Sequence, residues 1–473
     1  MTNFTRRALV LAAAFALPAA PASPQASSQT ASALPSATRA RIDSIATQEM
    51  KARGAPSVSL AIVKDGAIAY ANAYGLARIE PPTRAVPSMR YSIGSVSKQF
   101  TATAILMLAE EGKLSLDDKV SRFVPGLTRP TEVTIRQILS MTSGYQDYWP
   151  QDYVMPPMLK PITAHAIIDQ WAKKPLDFDP GTKWQYSNTN YVIAGLVVEK
   201  ASGIPLVDFI KRLIFTPLGM TSVMIIDEGP LGAGDPERYE RFGLGPPRIA
   251  PKEGPGWLYA AGELAMNSSD LATWDISVIK QSLMKPASYH TQQTTVLLAD
   301  GRSTGYGLGV DVGSFQGHRL ISHGGEVSGF STQNMIFPDD RIAIVVFANL
   351  FATDVQAVVA NRVAELLFAT TDRATDKAVA QAKSIFVALQ QGRIDRSLFT
   401  SNANAWFTGV AIHDFQSSLG SCGAVTDVRQ TSTSLRGGMT YRGYAVRCGS
   451  KSYGVSTFVM PDGKIEQYIV EPE

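Results

Sequence analysis

Ser95 and Lys98 stand three residues apart in YSIGSVSKQF, directly ahead of the helical pattern TATAILMLAEEG. If a helix begins at Ser95, this spacing places the lysine amine on the same face as the hydroxyl, one turn away. A serine there lies at the positive end of the helix dipole, and a neighbouring amine can take its proton. The pair could therefore attack a carbonyl carbon, although an N-capping serine fits this stretch equally well when it is taken alone.

The spacing itself is weak evidence, because the chain contains decoys. Ser282 and Lys285 repeat it, but they lie at the end of a helical pattern, followed by Pro286, and are interpreted as a coincidence. Tyr70 and Asn72 form a Tyr-x-Asn pattern inside a predicted strand, where a tyrosine needs no catalytic function.

Two further polar signals follow Ser95 in order, each at the boundary of a predicted element. Tyr186 and Asn188, in DPGTKWQYSNTNY, come just before the helical pattern NYVIAGLVVEKASG. His323, Gly324 and Gly325 end the strand pattern HRLISHGG. Three ordered polar motifs at element boundaries favour a built site over three separate caps.

The elements that would position these motifs follow from the hydrophobic pattern. Two apolar runs, SVSLAIV and AIAYANAYG, are joined by Lys64-Asp65-Gly66 and predict a β-hairpin. Helical patterns broken by Pro and Gly fill the middle of the chain, and strand patterns return with YGLGVDVG, HRLISHGG, FSTQNMIFPDD and RIAIVVFANLF. The helix VQAVVANRVAELLF closes the region. This order predicts an α+β unit whose sheet joins both of its ends, with a helical insert between them.

In this order the motifs resemble those of the penicillin-recognising serine hydrolases, the group of class C β-lactamases, DD-peptidases, D-aminopeptidases and related esterases. The likeness runs from about residue 40 to 370, through SIGSVSK, TIRQILSMTSGYQDY, PGTKWQYSNTNYVIAGLVVEKASG, TPLGM, YGLGV and ISHGGEVSGF. It implies an α+β fold of the β-lactamase type, with an antiparallel sheet flanked by helices and a helical subdomain.

The resemblance implies catalytic roles for Ser95, Lys98 and Tyr186. Ser95 would form an acyl-enzyme, and Lys98 would accept its proton or hold a tyrosinate near it. Tyr186 would pass the proton to the leaving group, and the backbone N–H groups of Ser95 and Glu326 would form the oxyanion hole. Acyl transfer needs these parts: an activated nucleophile, a proton carrier and donors aimed at the developing oxyanion.

A substrate-binding role is implied for a second set of residues: Asn188, His323, Gly324, Gly325 and Glu326. Asn188 would bind the substrate amide. Gly324 and Gly325, which lack Cβ atoms, would let a substrate backbone approach the strand edge. The expected substrate is a small molecule or a peptide.

His323 departs from the lysine that is usual in the third motif of efficient β-lactamases. An always-charged ammonium suits the carboxylate of a penicillin, whereas a histidine is only partly charged near neutral pH. The departure favours D-amino-acid peptides or small esters as substrates. A true β-lactamase and a slow penicillin- or peptide-binding sensor remain alternatives, and a structural histidine at a Gly-Gly turn is the alternative for His323 itself.

Other kinds of site lack their sequence signals. There is no GxSxG, the HGG stretch lies C-terminal to the serine, and YGLGV lacks the spacing of GxGxxG. The five histidines form neither HExxH nor HxH, so no metal and no cofactor are expected. A formal charge of +3 without basic runs gives no electrostatic case for nucleic acid, and 45% hydrophobic residues indicate a folded protein.

Residues 1–22 are predicted to be a cleavable export signal, because Arg6 and Arg7 precede a short apolar run and small residues. Residues 23–35 form a Ser, Ala, Gln and Pro linker. No apolar run reaches the ~20 residues that span a bilayer, so no stable membrane anchor is expected. The predicted location is periplasmic or secreted, and the choice between general and twin-arginine export stays open.

The hydrolase domain is predicted over residues 36–370 and a small α+β domain over 376–473, where helical patterns precede strand patterns. GMTYRGYAVRC and FVMPDGKIEQYIV loosely resemble the cystatin and nuclear-transport-factor folds. This domain is expected to stabilise the hydrolase domain or to promote a homodimer, and binding of a separate ligand is the alternative. Cys422 and Cys448, an even pair in one region, predict a local disulfide in an oxidising compartment.

An aromatic loop, SGYQDYWPQDYVMPP, precedes the Tyr-x-Asn motif. Tyr145, Tyr148, Trp149 and Tyr153 could line the substrate site or pack as a surface loop, and the sequence leaves both interpretations open.

Overall fold

The computed structural model describes residues 33–151, 153–369 and 373–472. The predicted export signal lies outside the described residues, as does most of the predicted linker. By its internal contacts the chain divides between Ala357 and Val358 into two compact units, which are described separately. The predicted fold class, α+β with a second small α+β unit, is confirmed.

The first unit is built on an antiparallel sheet of seven strands, with smaller pairings around it. Its described strands are β1 Ser57–Lys64, β2 Ala67–Arg78, β3 Thr83–Arg84, β4 Tyr91–Ser92, β5 Met224–Ile225, β6 Tyr239–Glu240, β7 Arg248–Ile249, β8 Leu264–Met266, β9 Asp311–Phe315, β10 His318–Val327, β11 Phe330–Phe337 and β12 Ile342–Ala348. The main sheet has the order β3-β2-β1-β12-β11-β10-β9, so it joins strands from both ends of the unit. A small sheet has the order β4-β8-β5, and β6 pairs with β7.

The hairpin of β1 and β2 turns where the sequence predicts. Asp65 and Gly66 both have positive φ angles, 54° and 73°, as a mirror-image turn between twisted strands requires. Strands β1 and β12 are buried along almost their whole length, because both faces of the sheet are covered. These two strands form the centre of the unit's core.

Helices cover the sheet and form the middle of the unit. Those described are α1 Ser36–Arg53, α2 Lys98–Glu110, α3 Ile135–Leu139, α4 Ala164–Trp171, α5 Asn188–Ser202, α6 Leu206–Ile210, α7 Thr216–Leu218, α8 Ser268–Lys280 and α9 Pro286–Gln292, with α10 Val355–Ala369 spanning the division between the units. Single turns of 3-10 helix lie at Gly94–Ser97, Val120–Arg122 and Pro156–Leu159, and a π-helical turn at Lys211–Phe215 joins α6 to α7.

Helix α2, which follows Ser95, is the most enclosed of these elements. Every residue from Lys98 to Leu108 is buried, so the helix has no polar face towards solvent. Polar groups fix its rotation. The Gln99 side-chain amide donates to Asn334 Oδ1 at 3.0 Å, and Asn334 Nδ2 in turn donates to the buried carboxylate of Asp275 at 2.8 Å. Burial raises the pKa of Asp275 well above its ordinary value.

One predicted strand is absent from its expected place. The stretch YGLGVDVG enters the sheet only at Asp311, where β9 begins. Gly309 has a φ of 76°, and a Cβ there would lie 2.9 Å from the Lys98 carbonyl oxygen. The segment around Gly309 therefore packs against the start of α2 instead of pairing with a strand.

The second unit consists of helices followed by an antiparallel sheet. The described helices are α11 Arg373–Gln390, α12 Ser401–Trp406 and α13 Gly409–Leu419, and the strands, in spatial order, are β13 Val425–Arg436, β14 Met439–Cys448, β15 Lys451–Val459 and β16 Ile465–Pro472. Its core includes Phe386, Leu389 and Tyr468. Cys422 and Cys448 are joined by a disulfide. Among the described residues, no helix is long and apolar enough to cross a membrane.

Candidate active site

The three sequence motifs meet at one cavity of about 630 Å³ in the first unit. Ser95 comes from the 3-10 turn that leads into α2, Tyr186 and Asn188 from the start of α5, and His323 from β10. Lys98, in the first turn of α2, is fully buried beside them. The fold thus brings together residues that lie up to 228 positions apart in the chain (323 minus 95).

Ser95 faces the lysine and the tyrosine rather than the end of a helix. Its Oγ lies 2.8 Å from Lys98 Nζ, and it shares a hydrogen bond with the Tyr186 hydroxyl. Neither the 3-10 turn nor α2 has a side-chain capping hydrogen bond at its start. The capping alternative for Ser95 therefore finds no support in the geometry.

The Lys98 amine is held by three oxygen atoms. Besides Ser95 Oγ, Nζ contacts Asn188 Oδ1 at 2.8 Å and the Ala261 carbonyl oxygen at 2.9 Å. Burial lowers the pKa of Lys98 to about 7, against the opposing effect of the Asp147 carboxylate. Two of the three partners are carbonyl oxygens, which can only accept. A neutral amine therefore donates its two N–H groups to them, and its lone pair faces Ser95.

Tyr186 is a neutral phenol in this site. Burial raises its pKa, and the hydrogen bond with Ser95 only partly offsets that effect. The centre of its ring lies 5.0 Å from Lys98 Nζ. Of the two functions considered for Lys98, accepting the serine proton fits this arrangement better than holding a tyrosinate.

A loop between β7 and β8 fixes the third oxygen atom that holds Lys98. Ala260 adopts a φ of 56°, and its carbonyl oxygen accepts a hydrogen bond of 2.8 Å from Thr101 Oγ1 on α2. The Ala260 N–H donates to Glu263 Oε1, and burial raises the pKa of Glu263 to about 8. Two hydrogen bonds from α2, one from Lys98 and one from Thr101, thus tie helix α2 to this loop.

Asn188 is engaged inside the protein on both sides of its amide. Its Oδ1 accepts from Lys98, and its Nδ2 donates to Asp147 Oδ2 at 3.3 Å. Asp147 also accepts from the backbone N–H groups of Asn188 and Trp149, at 2.9 and 3.1 Å. Asp147 is the site residue that the sequence reasoning missed. The loop SGYQDYWPQDYVMPP contains two acidic residues, Asp147 and Asp152, and the sequence carries no signal that singles out Asp147.

His323 is less charged than the sequence suggests. Its Nδ1 lies 2.6 Å from the Gly324 carbonyl oxygen, which must accept, so Nδ1 carries the proton. Nε2 then accepts from the Tyr306 hydroxyl at 2.9 Å. Burial, together with the nearby Lys98, lowers the pKa of His323 to about 4. The expectation of partial charge near neutral pH is therefore corrected, because this histidine is neutral there.

The two glycines after His323 differ in what they face. A Cβ on Gly325 would overlap the Ile93 carbonyl oxygen, whereas one on Gly324 would meet nothing closer than 3.9 Å. Similarly, a Cβ on Gly94 would lie 2.8 Å from the backbone nitrogen of Glu326. The lack of a Cβ at Gly325 therefore allows β10 to pack against the turn of Ser95. Only Gly324 has the open space that was expected for a substrate backbone.

Strand β10 presents an unpaired edge at this point. Its pairing with β9 ends at Ser322, while its pairing with β11 continues to Val327. Within the described residues, the side of β10 beyond Ser322 therefore faces the turn of Ser95 and the cavity instead of another strand. This edge includes Glu326, whose backbone N–H is expected, from the family resemblance, to form part of the oxyanion hole.

A family model described as Beta-lactamase matches residues 42–368, which is more than half of the chain. The chain belongs to the beta-lactamase family. The prediction of a serine hydrolase related to the β-lactamases is thus confirmed.

Individual proteins are also similar to this chain. This beta-lactamase family member is 31% identical over 302 residues to "Penicillin-binding protein 4*" of Bacillus subtilis (strain 168), covering 60% of this chain and 66% of that protein, just under two thirds of its length. It resembles the octameric penicillin-binding protein homologue from Pyrococcus abyssi with a TM-score of 0.62 and 22% identity, over 91% of this chain and 95% of that one. A D-stereospecific amidohydrolase from Streptomyces sp. matches with a TM-score of 0.59 and 25% identity, over 67% of this chain and 96% of that one.

The aromatic loop of this family member is divided between the cavity and the core. Tyr148 and Trp149 line the cavity, and the Tyr148 hydroxyl donates to the Trp257 carbonyl oxygen. Tyr145 is buried and donates to the Thr128 carbonyl oxygen, whereas Tyr153 is exposed. Both interpretations of the loop therefore hold, for different residues.

The decoy motifs lie elsewhere in the fold. Ser282 and Lys285 are exposed and fall between α8 and α9. Tyr70 donates to Asp43, and Asn72 donates to the Tyr70 hydroxyl, so both side chains bond within the unit. None of the four lines the cavity.

The described lining of the cavity is acidic rather than basic. Its charged side chains are Asp147 and Glu326, and the described lining residues include no lysine or arginine. Glu326 is exposed and accepts from the Ala352 N–H at 3.0 Å. Among the described residues, no cluster of three or more His, Cys, Asp or Glu side chains could hold a metal ion.

Replacing Gly325 with alanine is expected to force β10 away from the turn of Ser95, because the new Cβ would overlap the Ile93 carbonyl oxygen. We expect a loss of about 1–3 kcal/mol in the free energy of unfolding, typical of overpacking, together with a fall in ester hydrolysis. Gly324→Ala is the matched control and should unfold at the wild-type temperature. Equal thermal unfolding midpoints for the two variants would contradict this account of Gly325.

Proposed function

We propose that the protein hydrolyses amides or esters through an acyl-enzyme formed on Ser95. The observation that carries this proposal is the contact of 2.8 Å between Ser95 Oγ and Lys98 Nζ, whose remaining partners are two carbonyl oxygens. With a pKa of about 7, the amine is neutral in a large fraction of molecules at neutral pH. A neutral amine aimed at a serine hydroxyl is a general base beside its nucleophile.

The proposed reaction has two halves. As Ser95 Oγ attacks the carbonyl carbon, Lys98 takes its proton, and the backbone N–H groups of Ser95 and Glu326 face the oxyanion. Tyr186, hydrogen-bonded to Ser95, gives its phenolic proton to the leaving amine or alcohol and regains one from the protonated Lys98, so both groups return to their neutral forms. Water then attacks the acyl-enzyme, and the same groups work in reverse order to release the acid.

The charges of the cavity support a ranking of substrates. A penicillin, or a peptide cleaved at a free carboxyl terminus, brings a carboxylate to the edge of β10. There His323 is neutral, and the described lining carries two carboxylates and no cation other than the buried Lys98 beneath it. We therefore place small esters and D-amino-acid peptides or amides without that carboxylate ahead of β-lactams. The amidohydrolase named above, described as D-stereospecific, is consistent with this ranking.

A substrate panel tests the proposed function. The protein should hydrolyse p-nitrophenyl acetate and D-alanine p-nitroanilide with a higher kcat/KM than a chromogenic cephalosporin. Ser282→Ala, at the decoy motif, is the control and should keep the wild-type rate. Fastest turnover of the cephalosporin would contradict the ranking. A stable covalent adduct without turnover of any substrate would favour the sensor alternative instead.

We also propose that the protein is exported and works in the periplasm or outside the cell. The disulfide between Cys422 and Cys448 supports this, since such bonds persist in oxidising compartments. The export signal over residues 1–22, the domain limits 36–370 and 376–473, and a homodimer stay predictions. The related Pyrococcus abyssi protein is described as octameric.

A further inference from the structure

The proposed base works only if its lone pair faces Ser95. A neutral Lys98 has two N–H groups, and the Ala261 carbonyl oxygen takes one of them at 2.9 Å. Asn188 must therefore present its amide oxygen, as it does at 2.8 Å, to take the other. If the amide turned over, its NH₂ group would donate to the lysine lone pair and compete with the serine hydroxyl.

Asp147 decides which way the amide of Asn188 turns. Burial raises the pKa of Asp147, while the N–H groups of Trp149 and Asn188 and the Lys98 amine oppose that effect. In its ionised form the carboxylate has only acceptor atoms, so the amide atom that faces Oδ2 at 3.3 Å must then be the nitrogen. Asp147 Oδ1 is held in turn by the backbone N–H of Asn188 at 2.9 Å and by that of Trp149 at 3.1 Å. The N–H of Asn188 belongs to the first turn of the 15-residue helix α5, where unpaired donors favour an anion.

We propose that Asp147 is a positioning residue, which orients the amide of Asn188 so that the lone pair of Lys98 points at Ser95. This inference rests on the proposed function of Lys98 as the base for Ser95. Asp147 also accepts from the backbone N–H of Trp149, which lines the cavity, so it connects the surroundings of Lys98 to the aromatic loop.

The charge of Asp147 has a second effect, on the pH at which Lys98 becomes neutral. The titratable groups that face Lys98 are Asp147, Tyr186, Tyr191 and His323. Burial keeps both tyrosines neutral, and His323 is neutral above about pH 4. The Asp147 carboxylate raises the pKa of Lys98, so its removal should let the amine lose its proton at a lower pH.

Asp147→Asn tests both effects in one pH profile. The variant places a second NH₂ group opposite that of Asn188, which favours the inverted amide. We expect kcat/KM for p-nitrophenyl acetate to fall by about tenfold or more at its plateau, a smaller loss than the ~10²- to 10⁴-fold expected when the proton carrier itself is removed, because Lys98 stays in place. We also expect the midpoint of the rising limb to move to lower pH. Gln146→Ala, next to Asp147 but outside the lining of the cavity, should keep the wild-type profile.

Further variants separate positioning from a structural function. Asn188→Ala keeps the Asp147 carboxylate, so the plateau of kcat/KM should fall while the midpoint of the pH profile stays. The double variant with Asp147→Asn should have the same plateau as Asn188→Ala alone. Asp147→Glu keeps the charge but displaces it, so only its plateau should fall, which provides the test if Asp147→Asn does not fold. An unchanged midpoint in Asp147→Asn, or a wild-type plateau in Asp147→Glu, would overturn the inference. An inactive wild type would instead refute the proposed function.

Discussion

Lys98→Met is expected to lower kcat/KM for ester hydrolysis by about 10²- to 10⁴-fold, the range assigned to a general base. Lys98 is fully buried, and methionine fills a similar volume there without an amine. Because substitutions that conserve volume are tolerated in buried sites, the fold should persist. In the wild type, the pKa of about 7 implies that kcat/KM rises with pH as Lys98 loses its proton. Between pH 6 and pH 8 this rise should approach tenfold, and the variant should lack it.

The exposed lysine of the decoy motif provides the control. Lys285→Met removes the same group from a position outside the cavity, so it should keep both the rate and the pH dependence of the wild type. A Lys98→Met variant that keeps the rising limb would show that another group titrates near pH 7. Among the described residues, burial raises the pKa of Asp227 and of Asp311 to about 6 and that of Glu263 to about 8, so these carboxyl groups are the candidates.

Ser95→Ala is expected to lower kcat for every substrate by about 10³-fold or more, because no covalent intermediate can form. The change removes one hydroxyl from a turn that is held by backbone bonds, so the thermal unfolding midpoint should stay close to that of the wild type. Ser97→Ala, in the same turn, is the matched control. The Ser97 hydroxyl accepts from the Leu264 N–H at 3.3 Å, so its loss should cost stability and leave turnover within about tenfold.

Much of the fold could be predicted because it depends on local patterns. The hairpin of β1 and β2 follows from apolar runs around Asp65-Gly66, and the α+β class follows from the order of elements. Strand β13, in contrast, was not predicted. Most of its residues are exposed and polar, so it carries no apolar alternation. The prediction of a strand at YGLGV was wrong because Gly309 lies against the start of α2, a contact that no local pattern encodes.

The candidate site shows the same division between local and tertiary information. Ser95, Tyr186, Asn188 and His323 could be grouped from the sequence because each belongs to a motif whose order is informative. Asp147 could not, since its importance lies in contacts with Asn188, 41 residues away (188 minus 147).

The charge states of the site were equally inaccessible from the sequence. Burial is the main cause of the lowered pKa values of His323 and Lys98, and burial depends on the assembled fold. The need for a glycine at position 325 also depends on tertiary structure, because a Cβ there would overlap the carbonyl oxygen of Ile93, which is distant in the sequence.

The most direct test of the account is to map the site of covalent labelling by a fluorophosphonate with peptide mass spectrometry, at pH 6 and at pH 8. If Ser95 is the nucleophile and Lys98 its base, a single adduct will form on the peptide that contains Ser95, about tenfold faster at pH 8 than at pH 6, and will be missing from Ser95→Ala. An adduct on another residue, or equal labelling of Ser95→Ala, would contradict this role of Ser95.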